Sequence, residues 1–362
     1  MRQAHNGIDG TRRVMLRWRQ WRLWLRSYRW LPWLTALILI AGALWQLGDP
    51  NGDLFQYRCF ALAFWRGSSV AAQAAHCAGR LPVGVYPPFT VLPLEYPPLA
   101  LIPFSIPLLT GGATSVLAYV LAYNVFMLAC LELTAWLILR AERRAVGATS
   151  ATGATTRYLL WLALGSTTIA LVRFDALPAL LTVIALLGAW KWPARWPYAL
   201  LAMATLLKLY PALLIVFLAL WDWRRTRDTS SNTIGKVDRY TWVTGPALAA
   251  GVALLIQGTA DALTGLPGAP WLAVQGSRPP QIESTAAGLL WLWVALTGRG
   301  GAIHAVSVQR SLAFVEAPGT LLARLTLALA LLAIGWAAWA LLAGYLAPLR
   351  AIAGALLALL AG

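Results

Sequence analysis

The fold is decided at Ser115–Leu139, which reads SVLAYVLAYNVFMLACLELTAWLIL. A helix needs roughly 20 apolar residues to cross a hydrocarbon core about 30 Å thick. Inside lipid every backbone N–H and C=O must find its partner within the segment, so a stretch of this kind forms a helix. We therefore predict a membrane-spanning helix at Ser115–Leu139.

Comparable apolar blocks recur along the whole chain. They are Leu31–Leu47, Tyr158–Val172, Ala176–Trp190, Pro197–Trp221, Trp242–Ile256, Thr285–Leu296 and Leu321–Leu346. Charged residues make up only 12% of the sequence, against roughly 25% in a soluble domain. Because so few charges cannot cover a water-facing surface, the chain is predicted to be all-α and polytopic, with about nine to eleven transmembrane or half-spanning helices.

Two stretches complicate the helix count. Pro97–Leu109 is short and rich in proline, which predicts a half-span or a re-entrant helix. Pro197–Trp221 is interrupted at Lys208–Pro211 and can form two short helices. Residues 31–362 otherwise form a single predicted transmembrane domain. Because Ala351–Gly362 is apolar and lacks a polar tail, we expect that domain to be C-terminally short.

The distribution of charge predicts the orientation. The net charge is +16, and residues 1–30 carry many arginines, opposed only by Asp9. Positive residues stay on the cytoplasmic side, so residues 1–30 are predicted to be a cytoplasmic, Arg/Trp-rich interfacial segment, followed by an uncleaved signal anchor. The same rule places Arg140–Arg144 and Arg224–Arg239 inside and Asp49–Tyr96 outside. Because a membrane span follows this basic segment directly, the bilayer is the expected partner and nucleic acid is not.

Motifs of soluble enzymes and metal sites are missing from the sequence. The sequence contains no phosphate-binding loop, no dinucleotide-binding glycine turn and no Cys-x-x-Cys, and its three histidines are scattered. No metal and no cofactor is predicted. Cys59 and Cys77 both fall in the long outer loop, where oxidising conditions would permit a disulfide, whereas Cys130 lies inside a span.

Ionisable residues at membrane depth are energetically expensive, so their positions are the best functional signal in such a chain. Asp53 follows the first span as a possible outer-face carboxylate, an exposed turn acid or a helix cap. Tyr96, within Glu95–Ala100, can anchor the chain at the interface. Arg173 and Asp175 can form an ion pair that closes a helical hairpin, or can contact a substrate. Lys208 lies inside an apolar stretch and is predicted to have a buried anionic partner.

A fifth polar group precedes the predicted Thr285–Leu296 helix. Arg278, Gln281 and Glu283 lie together in the segment Gln275–Ser284, in which Ser284 can cap that helix.

In their order along the chain, these motifs resemble the GT-C membrane glycosyltransferases, and most closely the polyprenol-phosphate-mannose-dependent mannosyltransferases of glycosyltransferase family 87. The resemblance covers roughly residues 31–300 and rests on five short motifs: Asp53, Glu95-Tyr-Pro-Pro-Leu-Ala, Arg173-Phe-Asp, Lys208-Leu-Tyr-Pro and Arg278-Pro-Pro-Gln-Ile-Glu-Ser.

The resemblance implies transfer of a sugar, mannose by family default, from a polyprenyl-phosphate donor to a glycolipid or cell-envelope glycan on the extracytoplasmic face. Asp53 would be the general base, with Asp49 as a nearby competitor. Arg173, Lys208 and Arg278 would stabilise the leaving phosphate. Tyr96 would shape a groove for the lipid tail, while Gln281 and Glu283 would bind hydroxyl groups. The alternative hypothesis is a transporter or flippase of lipid-linked sugars, since intramembrane cations and broken helices also suit a substrate pathway.

Overall fold

The computed structural model describes residues 30–45, 52–81, 84–93, 95–146, 153–189, 195–227, 240–265, 269–272, 292, 294–298, 305–308, 311–314 and 317–345. Over these residues the chain is helical, apart from one short hairpin. It divides into two compact units. Unit 1 comprises residues 1–92 and 100–187, and unit 2 comprises residues 93–99 and 188–362.

Unit 1 contains the described helices of the N-terminal half of the chain. They are α1 (Trp30–Trp45), α2 (Asp53–Arg66), α3 (Ser68–Gln73), α4 (Leu101–Ser105), α5 (Val116–Val146), α6 (Gly153–Gly165) and α7 (Ala176–Gly188). A 3-10 turn at Pro98–Ala100 precedes α4, and a second at Ile106–Thr110 follows it. α2 packs against α3, α4 and α5, while α5 packs against α6.

Unit 2 contains the remaining helices and the hairpin. They are α8 (Arg195–Leu207), α9 (Ala212–Arg227), α10 (Thr241–Thr264), β1 (Ala305–Val308), β2 (Ser311–Phe314) and α11 (Ala317–Ala343). α10 packs against both α8 and α9, and α9 also contacts α11. The strands pair antiparallel, with Ala305 opposite Phe314. The all-α class predicted from sequence is confirmed, and among the described residues this short hairpin is the exception.

Three helices in the described part of the chain are long and apolar enough to cross a membrane. They are Val116–Arg144, Thr241–Thr264 and Arg324–Ala343. Shorter apolar helices occur at Trp30–Trp45, Pro98–Thr110 and Ala176–Gly188. The membrane class predicted from sequence is thus supported, while the count of nine to eleven segments stays a prediction.

In α11 most of the buried residues are small and many large apolar residues are exposed, which is the opposite of the arrangement in a helix of a soluble protein. The buried residues of α11 are mostly small, among them Thr326, Ala330 and Ala337, with Leu341 as a large exception, whereas Leu332 and Trp336 are 70% and 59% exposed. Small residues allow helices to approach closely within a membrane, and large apolar residues suit contact with lipid. The pattern is typical of a helix surrounded by lipid.

Two sequence predictions about helix boundaries have clear outcomes. The break at Lys208–Pro211 is confirmed, since α8 ends at Leu207 and α9 begins at Ala212. The block Tyr158–Val172 is wrong as one helix, because α6 ends at Gly165 and residues 166–175 form turns. There the Thr167 hydroxyl donates to the carbonyl of Ala163, and this polar bonding accompanies the end of the helix.

Candidate functional site

Asp53 is the first residue of α2, and Gly52 occupies the preceding cap position in an extended conformation. The Phe55 N–H donates to the Gly52 carbonyl at 3.2 Å, which closes the first turn. An acid in the first turn of a helix is favoured by the helix dipole. The carboxylate of Asp53 is therefore located at the N-terminus of α2, where a negative charge is stabilised.

Arg173 lies in the turn between α6 and α7 and reaches this carboxylate. Its Nε donates to Oδ2 of Asp53 at 3.3 Å. The side chains are 30% exposed for Arg173 and 37% for Asp53. Both charged groups are thus partly accessible to solvent and partly covered by protein.

An aromatic cluster fixes the backbone beside both partners. Phe174 follows Arg173, and Tyr57 lies one helical turn after Asp53 on α2. Tyr57 stacks on Phe104 with ring centroids 4.1 Å apart, and Phe174 meets both rings edge-on at 5.8 and 5.3 Å. All three side chains are almost completely buried. Because Phe174 and Tyr57 are held by burial, the backbone positions of the nearby Arg173 and Asp53 are also fixed.

The helix that carries Asp53 is held by a disulfide. Cys59 of α2 is bonded to Cys77, which follows α3, with their Cα atoms 5.3 Å apart. Both cysteines are buried in a small apolar cluster that includes Leu62 and Val91. The sequence left this bridge open as one possibility, and the structure forms it.

Arg58 is a buried residue of α2 that the sequence analysis missed. Its guanidinium donates to the carbonyls of Gly112, Ala75 and Ala113 at 2.9, 3.2 and 3.1 Å. Burial lowers the pKa of Arg58 below its usual value, and the nearby Tyr119 opposes that shift. An arginine within the apolar run of residues 57–64 was the available signal. The residue ties α2 to the segment that leads into α5.

Of the other predicted site residues, some belong to the described part of the chain and some lie outside it. Asp175 precedes α7, and its carbonyl accepts from Ala179 N–H at 3.1 Å. Tyr96 and Lys208 belong to unit 2, where both are partly exposed. Their predicted roles, including the anionic partner of Lys208, stay predictions. Outside the described residues lie Asp49, Arg278, Gln281 and Glu283.

Unit 2 contains two polar groups that sequence reasoning did not single out. Tyr198 of α8 donates to the buried Asp222 of α9 at 2.9 Å. On α10, the Gln257 amide donates to Asp261 at 2.7 Å and its oxygen accepts from the Trp271 indole at 3.1 Å. In both groups the hydrogen-bonded residues are separated in the sequence by at least one helical turn, so no short sequence motif reveals them.

No protein-family model, curated protein or solved structure matches this chain. Within the described residues there is also no group of three or more His, Cys, Asp or Glu side chains that could hold a metal ion. Over its described residues, the protein is helical, has three helices long and apolar enough to cross a membrane, and sets a carboxylate–guanidinium pair on an aromatic cluster.

Proposed function

We propose that this protein is a GT-C type membrane glycosyltransferase. It would transfer a sugar, mannose by family resemblance, from a polyprenyl-phosphate donor to a lipid or cell-envelope glycan acceptor on the extracytoplasmic face. The observation that carries the proposal is the contact between Asp53 and Arg173, two residues of the motifs that suggested the family.

The two side chains suit the two charge changes of sugar transfer. The acceptor hydroxyl loses a proton as it attacks the anomeric carbon, and a carboxylate such as Asp53 can accept that proton. The departing lipid phosphate gains negative charge, which a fixed guanidinium such as that of Arg173 stabilises. No metal is required for either role.

The features at the two ends of α5 support an outer location for Asp53. Near its first residue lie Gly112 and Ala113, which Arg58 binds beside the Cys59–Cys77 disulfide. Its last turns carry Arg140, Arg143 and Arg144. A helix of 31 residues is about 46 Å long, enough to separate the two ends by a bilayer. Disulfides persist in oxidising compartments and positive residues stay inside, so both rules favour one orientation.

The test is transfer of radiolabelled mannose from polyprenyl-phosphate-mannose to a membrane lipid extract, with wild type compared with Asp53→Asn. Asp49→Asn is the matched control, because it removes the competing carboxylate a few residues away. We expect loss of transfer in Asp53→Asn alone. Loss in Asp49→Asn alone would assign the base to Asp49.

Absence of transfer by a folded, disulfide-bonded wild type would reject the enzyme with this donor. The transporter hypothesis would then be favoured, since the break between α8 and α9 beside Lys208 is the kind of interruption that substrate pathways use. Movement of the lipid-linked sugar between the leaflets of a vesicle would be the measurement.

A further inference from the structure

Residues 101–110 carry an exposed apolar face. Ile102 of α4 is 46% exposed and Leu109 of the following 3-10 turn is 86% exposed. Ser105 lies between them at helical spacing, and its hydroxyl accepts from the Trp65 indole at 2.8 Å. Trp65 in turn meets Phe89 edge-on at 5.6 Å. We call Trp65, Phe89, Ile102 and Leu109 the apolar patch.

The backbone of Phe89 is strained in a way that keeps its ring in the patch. Phe89 has a φ of 68°, an unusual value for a bulky side chain. Its N–H donates to the Phe64 carbonyl at 2.6 Å, and its ring also meets that of Phe64. Strain of this kind persists only where the surroundings enforce it, and it concentrates at functional positions.

Residues 101–110 pack against the beginning of α5. Tyr119, in the first turn of α5, donates from its hydroxyl to the Phe104 carbonyl of α4 at 2.9 Å. Gly112 is so close to Tyr119 that a Cβ added to Gly112 would lie 2.9 Å from the Cα of Tyr119. Since α5 is one of the helices able to cross a membrane, the segment that carries Ile102 and Leu109 contacts the first turn of a candidate membrane span.

Residues 101–110 are also too short to cross a bilayer themselves. They comprise an α-helix of 5 residues and a 3-10 helix of 5 residues. At rises of about 1.5 and 2.0 Å per residue they extend roughly 18 Å, well below the approximately 30 Å of a hydrocarbon core.

We propose that residues 101–110 lie in the plane of the bilayer surface, with the apolar patch inserted at the headgroup boundary of the leaflet where α5 begins. The partner is the lipid surface. Trp is favoured at that boundary because its ring is apolar and its N–H is polar, and a short apolar face binds there without spanning. Because Trp65 and Asp53 share α2, this contact would set the depth of the Asp53–Arg173 pair. The inference does not depend on the proposed enzyme activity.

The experiment measures depth with spin labels on single introduced cysteines. The background is Cys130→Ala, because Cys59 and Cys77 are already bonded to each other. Labels at Ile102→Cys and Leu109→Cys report on the patch. Gln73→Cys, exposed on α3, is the aqueous reference, and Val125→Cys, 67% exposed on α5, is the mid-span reference. Relaxation by oxygen and by nickel ethylenediaminediacetate is compared in reconstituted bilayers.

We expect the labels at 102 and 109 to be several-fold more accessible to oxygen than to the nickel complex. Both labels should lie at the same depth in the bilayer, closer to its surface than the label at 125. The label at 73 should show the opposite preference. Equal access of the nickel complex to positions 109 and 73 would overturn the proposal. A depth at 109 equal to that at 125 would also overturn it, because the segment would then be re-entrant. Each variant is included only when the Cys59–Cys77 bridge is intact by thiol labelling.

Discussion

Arg173 and Asp53 form an ion pair across 120 positions of sequence, with Nε of the arginine 3.3 Å from Oδ2 of the aspartate. Both side chains are about one-third exposed, so solvent screens the pair and its contribution to stability is about 0–1 kcal/mol. The rings of Tyr57, Phe104 and Phe174 pack beside the pair and hold the backbone of both partners.

Arg173→Gln is expected to separate stability from activity. The variant should unfold within about 1 kcal/mol of wild type, because the lost ion pair is partly solvated. Sugar transfer should fall about 10²-fold, since a fixed charge beside the leaving phosphate would be lost. Thermal unfolding in detergent and the transfer assay are the measurements. Arg66→Gln, at the exposed end of the same α2, is the control, and an equal loss of transfer in both variants would contradict a specific role for Arg173.

Phe174→Ala is expected to lower the free energy of unfolding by about 3–5 kcal/mol, because it empties a buried position against the stacked rings of Tyr57 and Phe104. It should also abolish transfer, since Arg173 would lose its fixed neighbour. Phe217→Ala removes an equally buried ring in unit 2.

The two phenylalanine variants are compared by unfolding and by transfer at a temperature where both remain folded. The expected result is a similar loss of stability, with transfer retained only in Phe217→Ala. Retained transfer in Phe174→Ala would show that the aromatic cluster does not position the arginine.

Replacing Cys59 and Cys77 together by alanine is expected to destabilise unit 1 by about 3 kcal/mol, because the bridge closes a loop of 18 residues. In the wild type, denaturation without reductant should expose a single thiol, that of Cys130, to a maleimide. Reduction before labelling should raise the number to the three cysteines of the sequence. Three labelled thiols without reductant would show that the bridge does not form.

Gly245→Ala is expected to destabilise unit 2 by about 1–3 kcal/mol through overpacking, because an added Cβ would overlap the ring of Tyr198. Gly251→Ala is the matched control on the same helix, where nothing lies within 4 Å of the added atom. That variant should be neutral or stabilised by up to about 1 kcal/mol, since alanine is the better helix former. Identical melting temperatures for the two variants would rule out close packing of α8 on α10 at this position.

Sequence patterns predicted the features that depend on composition and local chemistry. The apolar block at Ser115–Leu139 lies within α5 except for its first residue, the proline-marked break beside Lys208 is present, and the bridge between Cys59 and Cys77 forms. Each is set by residues close in sequence or by a simple rule about lipid or oxidation.

The pairing of the site residues was beyond those patterns. Asp53 and Arg173 were each singled out, but their contact depends on Tyr57, Phe104 and Phe174 meeting in space, and a sequence pattern registers these three only as apolar. Arg58 was missed because its acceptors are backbone carbonyls, which leave no mark in the side-chain sequence. The two short strands were missed because strands of 4 residues are too short to show a clear alternating pattern.

The packing of α1 has a consequence for how the protein is made. Gly42 of α1 lies directly against the backbone of Thr167, with no room for a side chain, and Thr35, Leu39 and Ala43 are buried on the same helix. At about 5–20 residues per second, the ribosome needs roughly ten seconds to add the stretch that separates Gly42 from Thr167. Throughout that interval α1 must wait, inside the insertion machinery or in lipid, for the surface it will finally occupy.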